Sequence, residues 1–385
     1  MTSQVPPTSQ LPSWLREPWA ALQRAHAVDR LPHALLLTGP SGIGKGLLFE
    51  ALANALLCTR PGVSGFACGQ CADCRLFAAG THPDLVRILP DEEGKSSEIK
   101  VDAIRGLANT EGLTAHRGGW KLILINPAHR MNTSAANALL KTLEEPAPGT
   151  LICLLSDQPN RLPATIRSRC QALRVSLPAE AEALAWLKPM TQGFDAVTLL
   201  HLAHGAPLRA RTLAQPELLA LRDRLFTGFV AVSLGKRDPL NEAGAWNQAD
   251  PAVIFDWLGG WVSDLLRLAV VATQAAGGGP RRLINADKER ELRALVLYLD
   301  AAAAHRFLQR LWRTGASDTT NLNRLLLFES WLLEWVASCV PGAVPGCMRA
   351  PRVHPTGLSG WFASPASKNP FTPDRPWLSW PDASP

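Results

Sequence analysis

The chain has 385 residues, 46% of them hydrophobic, so it is too long for one small domain and apolar enough to build roughly two or three cores. A formal charge of +6 and a pI near 9.0 permit a nucleic-acid or acidic partner without requiring one. Residues 1–13 are rich in Pro, Ser and Gln and have neither the charged start nor the apolar stretch of a secretory leader. The most apolar later window, 257–273, carries Asp264 and Arg267 and reads as a buried helix, so a cytoplasmic chain with no membrane partner is expected.

Residues 14–30 space Trp14, Leu15, Trp19, Leu22 and Ala25 at helical intervals. Ala34-Leu35-Leu36-Leu37 is a short buried strand running into Thr38 and the turn Gly39-Pro40-Ser41-Gly42-Ile43-Gly44-Lys45, and the pattern predicts a helix over 46–58. A short amphipathic helix is expected over 101–109 and a second buried strand over 121–125. A helix over 133–145 is halted by Pro146, a third buried strand covers 151–155, and a short helix covers 163–167. Apolar runs alternating with helices predict an α/β domain over 1–178, a parallel sheet between helical layers.

Beyond 179 no buried-strand run follows. Short helices over 179–189, 195–204 and 207–215 predict a small helical domain over 179–216. Longer helices, clearest over 252–273, 288–313 and 321–338, predict an all-α domain over 217–340, with Leu325, Leu326, Trp331 and Trp335 on faces that pack within or between subunits, ordinary core being the preferred reading for most of them. Residues 341–385 are rich in Pro, Gly and Ser without periodicity and read as a disordered tail. Its Trp361, Phe362, Trp377 and Trp380 would suit a docking peptide, but a lineage-specific extension is the preferred reading.

Four constellations carry chemistry. In the strand–turn–helix at Gly39, Gly42, Gly44 and Lys45, backbone N–H groups and the helix N-terminus make a nest for phosphate, and the lysine reaches the outer phosphates. The next residue is Gly46, where such loops place the hydroxyl that holds Mg²⁺, so no Mg²⁺ site is expected. The strand over 121–125 runs into Asn126-Pro127-Ala128-His129, without the carboxylates that would hold the metal and orient water. Glu144 and Glu145, at the end of the following helix, are not expected to replace them. Residual ATP or ADP binding stays open; hydrolysis is not expected.

Four of the eight cysteines, Cys58, Cys68, Cys71 and Cys74, have spacings that close a tetrahedral Zn²⁺ site with no open position, which makes its role structural. His82, nearby, reads as a surface or turn residue. The last constellation is Arg167-Ser168-Arg169-Cys170, either a solvated basic turn or an arginine presented at a subunit edge to a neighbour's phosphate.

Taken together, the segments GPSGIGKG at 39–46, the four-cysteine insertion, AGTHPDL at 79–85, NTSAANALLKTLEEP at 132–146 and IRSRC at 166–170 resemble the AAA+ clamp-loader family of DNA polymerase III. The resemblance runs from 34 to 170, more weakly to about 340. It implies an α/β P-loop (AAA+) domain with a parallel sheet, a small helical lid domain and an all-α C-terminal collar domain. The family has motor subunits, γ/τ, with intact loops, and a delta-prime kind with eroded ones, which this chain is similar to. By that resemblance Arg169 is an arginine finger acting in trans. Cys58, Cys68, Cys71 and Cys74 are the zinc ligands, and Arg209 is a loosely aligned second sensor. The expected partners are γ/τ and delta subunits in a hetero-pentamer, the sliding clamp, and primed DNA through the complex. The implied function is a non-hydrolysing stator in a DNA-directed DNA polymerase (nucleotidyltransferase) holoenzyme. One rival is an active γ/τ-like ATPase. Another is a DNA-binding zinc protein, disfavoured because the cysteine insertion holds only Arg60 and Arg75 as basic residues.

Overall fold

Three unbroken apolar runs form the middle of one sheet: β1 (Ala34–Thr38), β3 (Lys121–Ile125) and β4 (Thr150–Ser156). The computed structural model describes residues 11–90, 98–108, 115–117, 119–273, 282–316 and 323–340. Two further strands, β2 (Leu85–Ile88) and β5 (Gln171–Arg174), complete the order β2-β3-β4-β1-β5, with every pair parallel. The edge strands carry Arg87 and Arg174, which suit strands covered on one side only.

Side chains alternate across the sheet. Leu35, Leu37, Leu122, Leu124, Leu151 and Leu155 face α1 (Arg16–Ala27) and α2 (Lys45–Leu57), meeting Trp19, Leu22, Leu48 and Phe49. Leu36, Ile123, Ile125, Ile152 and Leu154 point the other way, onto Ile104 of α4 (Val101–Ala108), Leu139 and Leu143 of α5 (Thr133–Glu144) and Ile166 of α6 (Ala164–Arg167). Each such fully buried aliphatic side chain is worth about 1.5–3 kcal/mol, so the two faces fix both helical layers. Between α2 and β2 lies α3 (Ala72–Ala78).

A second, small core joins α7 (Glu180–Leu187), α8 (Ala196–Leu202) and α9 (Pro207–Leu213) through Ala183, Leu187, Leu199, Leu200 and Ala210. Asp195 caps α8, accepting from the Val197 and Thr198 N–H groups at 3.1 Å each.

The third core is aromatic. It is built from α10 (Pro216–Ser233), α11 (Pro239–Trp246), α12 (Pro251–Thr273), α13 (Glu289–Val296), α14 (Ala301–Ala316) and α15 (Arg324–Glu334). Phe229, Trp246, Trp261, Phe307, Phe328 and Trp335 are all essentially inaccessible. The Trp335 indole N–H donates to Ser233 Oγ at 2.8 Å, satisfying a polar atom inside that core. Arg222 is buried too, donating to Asp287 at 2.8 Å and to Asn285 at 2.7 Å.

Two expectations are corrected. The helix expected over 288–313 is two helices, because Asp300 starts a new one: its carboxylate accepts from Ala303 N–H at 2.9 Å and its own N–H donates to Cys339 O at 2.8 Å. Leu326 is 61% exposed and does not pack within the chain, whereas Trp331 and Trp335 are buried. The last helix spans α15 and a π-helical turn, Trp335–Cys339. The tail reading for 341–385 lies outside the described residues. Among those residues no helix is long and apolar enough to cross a membrane.

Candidate functional site

A parallel sheet places all strand C-termini on one edge, and the turn after β1 lies there. Gly39, Gly42 and Gly44 have φ of 140°, 76° and 106°, the left-handed region that glycine enters without strain, and this brings the loop round to start α2 at Lys45. The fold thus forms a tight glycine turn between β1 and α2 at the residues expected to make a phosphate cradle. A Cβ at Gly46 would meet nothing within 4 Å, so packing does not enforce the missing hydroxyl.

The Lys45 ammonium is buried and folded back. It donates to Gly39 O and Pro40 O at 2.8 Å each and pairs with the Asp157 carboxylate. Asp157 directly follows β4, on the same sheet edge, and was not among the expected site residues. Beside it, Ser156 Oγ lies 3.2 Å from His129 Nδ1. Burial lowers the His129 pKa below its usual 6.5, only partly offset by the Asp157 charge, so this imidazole is held neutral.

Other elements press on the loop. Leu208 N–H of α9 donates to Gly42 O at 3.0 Å, and the Trp14 indole N–H donates to Ile43 O at 2.8 Å. Trp14 also meets Trp186 of α7 edge-on, ring centroids 5.4 Å apart. Arg209 on α9 is near the loop, with its Cβ 2.5 Å from where a Gly42 Cβ would stand, yet its guanidinium turns away to Asp256 of α12. Burial pushes the Asp256 carboxyl up, but hydrogen bonds and charge from His204 and Arg209 outweigh it and hold it below the usual carboxylate range.

Arg169 lies at the other end of the sheet. It follows α6 and precedes β5, whose Gln171 is opposite Leu35 and whose Arg174 is opposite Thr38. The strand between them spans roughly 10 Å at about 3.3 Å per residue, so Arg169 and the chain's own loop occupy opposite edges. Its side chain is about one-third exposed, paired with Glu144 at 2.5 Å and donating to Thr165 O at 3.0 Å. Glu144, at the end of α5, is likewise remote from the loop.

The four cysteines converge. Their sulfurs all lie within 4.8 Å of one another, with Cys58–Cys71 at 4.0 Å and Cys68–Cys74 at 3.9 Å. A tetrahedral ion with bonds near 2.3 Å needs sulfur–sulfur edges of about 3.8 Å, so the cluster could hold a metal ion. Backbone N–H groups of Arg60, Cys68, Gln70, Cys71 and Cys74 point at Cys58, Cys68 or Cys71 sulfurs at 3.3 to 3.5 Å, stabilising negative charge there. Burial pushes the Cys71 thiol up, but hydrogen bonds from Cys74 and Thr59 outweigh it and bring its pKa to about 6. Burial pushes Cys58 and Cys74 up. The cluster joins the end of α2 to the start of α3, and Phe66 of the intervening segment stacks on Trp19 at 4.5 Å.

His82 is buried, which corrects the surface reading, and it opens a turn, its O accepting from Leu85 N–H at 3.2 Å. Its Nδ1 accepts from Asp84 N–H at 3.1 Å and its Nε2 faces Asp73 at 3.4 Å. Asp84 in turn accepts from His116 and Arg117 N–H groups at 2.7 and 3.2 Å, so the segment 79–85 has a structural task beneath β2.

This geometry defines a class: an AAA+ P-loop domain with a helical lid and an all-α collar, whose loop lacks the usual metal hydroxyl and the acids after β3. The family model "DNA polymerase III, delta subunit" matches residues 14–178, and "DNA polymerase III, delta subunit, C terminal" matches 216–337. The chain is 37% identical over 336 residues to the DNA polymerase III subunit delta' of Pseudomonas aeruginosa, covering 86% of this chain and 98% of that one. To the subunit delta' of Escherichia coli it is 32% identical over 335 residues, covering 86% and 97%. The Escherichia coli subunit tau is 33% identical over 215 residues, covering 56% of this chain and 31% of tau. The chain belongs to the delta-prime family of DNA polymerase III clamp-loader subunits.

Proposed function

We infer that this chain is a non-hydrolysing stator of the clamp loader, which lends Arg169 to a neighbouring subunit's ATP while its own loop does no chemistry. The observation that carries the reading is the direction of the sheet. Arg169 lies at the edge away from Gly39–Lys45, so a phosphate it reaches belongs to another chain. Its tie to Glu144 is between two partly exposed groups and is worth about 0–1 kcal/mol, so leaving it for a triphosphate costs little. A guanidinium on a γ-phosphate neutralises charge on the transferred phosphoryl group in the transition state, an effect of about 10³–10⁵ in rate.

On this reading residues 1–178, 179–216 and 217–340 are the AAA+, lid and collar units, and the collar meets delta and γ/τ subunits in a hetero-pentamer. The sliding clamp and primed DNA are engaged by the assembled complex in the cytoplasm. Cys58, Cys68, Cys71 and Cys74 hold Zn²⁺, which supplies a rigid four-way cross-link and no reactive position. ATP or ADP is not needed at Lys45.

The test is reconstitution of the complex with Arg169→Ala. The variant should assemble, by size-exclusion chromatography, and should lose the ATP turnover contributed by the neighbouring site when clamp and primed DNA are present. Normal turnover in that complex refutes the donated arginine. Turnover by the isolated wild-type chain, abolished by Lys45→Ala, would instead establish the active-ATPase reading.

A further inference from the structure

We propose that Asp157 is a built-in stand-in for phosphate that holds the loop shut, and that the cradle is a latent oligophosphate site released by removing that one carboxylate. The inference deepens the reading of the loop as non-catalytic and rests on it. A lysine ammonium has three protons to donate. At Lys45 all three have acceptors within the chain: Gly39 O, Pro40 O and Asp157 Oδ1. No donor is left over for a phosphate oxygen. The charge is spoken for as well, because Lys45 is 6% exposed and its counter-ion is Asp157, not solvent.

The position of the carboxylate gives it this meaning. Asp157 comes from β4, the strand beside β1, and stands just past Ser156, which registers against Thr38 at the foot of the loop. It therefore approaches the cradle from the open edge of the sheet, the direction from which an anionic ligand would come. A phosphate binding there has to displace Asp157 from Lys45 and then lies beside an unpaired carboxylate. The second nearby cation gives no relief, since Arg209 is committed to Asp256. The cradle itself is otherwise intact: the three glycines hold their left-handed conformations and α2 begins at Lys45.

The experiment uses the full chain and isothermal titration with inorganic pyrophosphate and with ADP, without divalent metal because Gly46 offers it no hydroxyl. The variants are Asp157→Asn, Asp157→Ala, and each combined with Lys45→Ala. Asp157→Asn keeps shape and removes charge; the Asp157 side chain is 32% exposed, so the substitution leaves no buried cavity. Asp157→Ala also removes the hydrogen bond. The expected result is binding of pyrophosphate at least about tenfold tighter in both single variants than in wild type, with the gain lost when Lys45 is also replaced. Unchanged affinity in folded single variants, checked by circular dichroism, overturns the proposal. A gain that survives Lys45→Ala overturns it too, because the anion would then be responding to net charge elsewhere. Neither result bears on Arg169, whose role is read from the assembled complex. Turnover of ATP by Asp157→Asn alone would count against the stator reading while leaving the latch standing.

Discussion

Removing the metal from the cysteine cluster gives the most quantitative expectation. Cys58 and Cys74 bracket a loop of about 16 residues, and cross-linking a loop of that size is worth ~3 kcal/mol in chain entropy. Between Cys58 and Cys71 the segment is tied down, apart from the sulfurs, chiefly by the Phe66–Trp19 stack and the Gly62–Phe66 turn, whose N–H···O distance is 2.9 Å, whereas α3 is held separately by Phe77 in the core and by the Asp73 pairs with Arg117 and His82. The sheet beneath is fixed independently by Leu48, Phe49 and Leu52. Chelation with a strong zinc ligand should therefore open the corner between α2 and α3 without unfolding the domain. The assay is hydrogen exchange resolved by peptide. Amides over 58–71 should exchange about a hundredfold faster, the equivalent of ~3 kcal/mol, while those of β1, β3 and β4 keep their protection. Purified protein should carry one zinc per chain, and Co²⁺ exchanged into it should give the intense visible bands of tetrahedral thiolate coordination. Protein that holds no metal, or exchange over 58–71 indifferent to chelation, refutes the argument.

Gly46→Ser adds a hydroxyl into open space near the start of α2 and replaces a poor helix former, so stability to urea should rise by about 0.5 kcal/mol. The variant should still not hydrolyse ATP, because Asn126 and Pro127 remain; turnover would show the lost acids to be dispensable. Gly228→Ala should do the opposite. A Cβ there would be 1.8 Å from Glu242 Oε1, and Glu242 is held by the Trp246 indole at 2.9 Å and by Arg237 at 2.6 Å, so denaturation midpoints should fall by the equivalent of about 2–3 kcal/mol. For His129 the folded pKa lies below the usual 6.5, so the unfolded chain binds the extra proton first. Its contribution to stability is complete above about pH 6.5 and is lost as pH falls toward the folded value. His129→Asn should flatten that part of the pH dependence, and an unchanged slope would refute the assignment.

What the sequence reveals here follows how local each signal is. β1, β3 and β4 stand out because burial on both faces demands continuous apolar residues. β2 reads Leu-Val-Arg-Ile and β5 Gln-Ala-Leu-Arg, and as edge strands they needed no such run, so neither was recognised. Asp300 was the single cue to the break between α13 and α14, hidden inside a pattern that keeps helical spacing on both sides. The glycine loop and the cysteines are contiguous motifs and were fully visible. Their restraints were not: Asp157 is 112 residues from Lys45, Asp256 is 47 from Arg209, and Trp14 is 29 from Ile43. Only the folded chain brings those pairs together.

Those same restraints link two properties that otherwise look separate. A motor subunit has to let its loop, lid and collar respond to what occupies the loop, so its phosphate-facing groups cannot be committed in advance. In this chain they are committed. Lys45 is bound into Gly39, Pro40 and Asp157; Gly42 carries α9; Ile43 carries Trp14; and Arg209 fastens α9 to α12. Two of these contacts cross between units: the Leu208–Gly42 bond joins α9 to the loop, and the Arg209–Asp256 pair joins α9 to α12. The commitment of Lys45 and the tying together of the three units therefore meet at one loop. Loosening Asp256 should free α9 from α12 without giving hydrolysis, because Gly46, Asn126 and Pro127 remain.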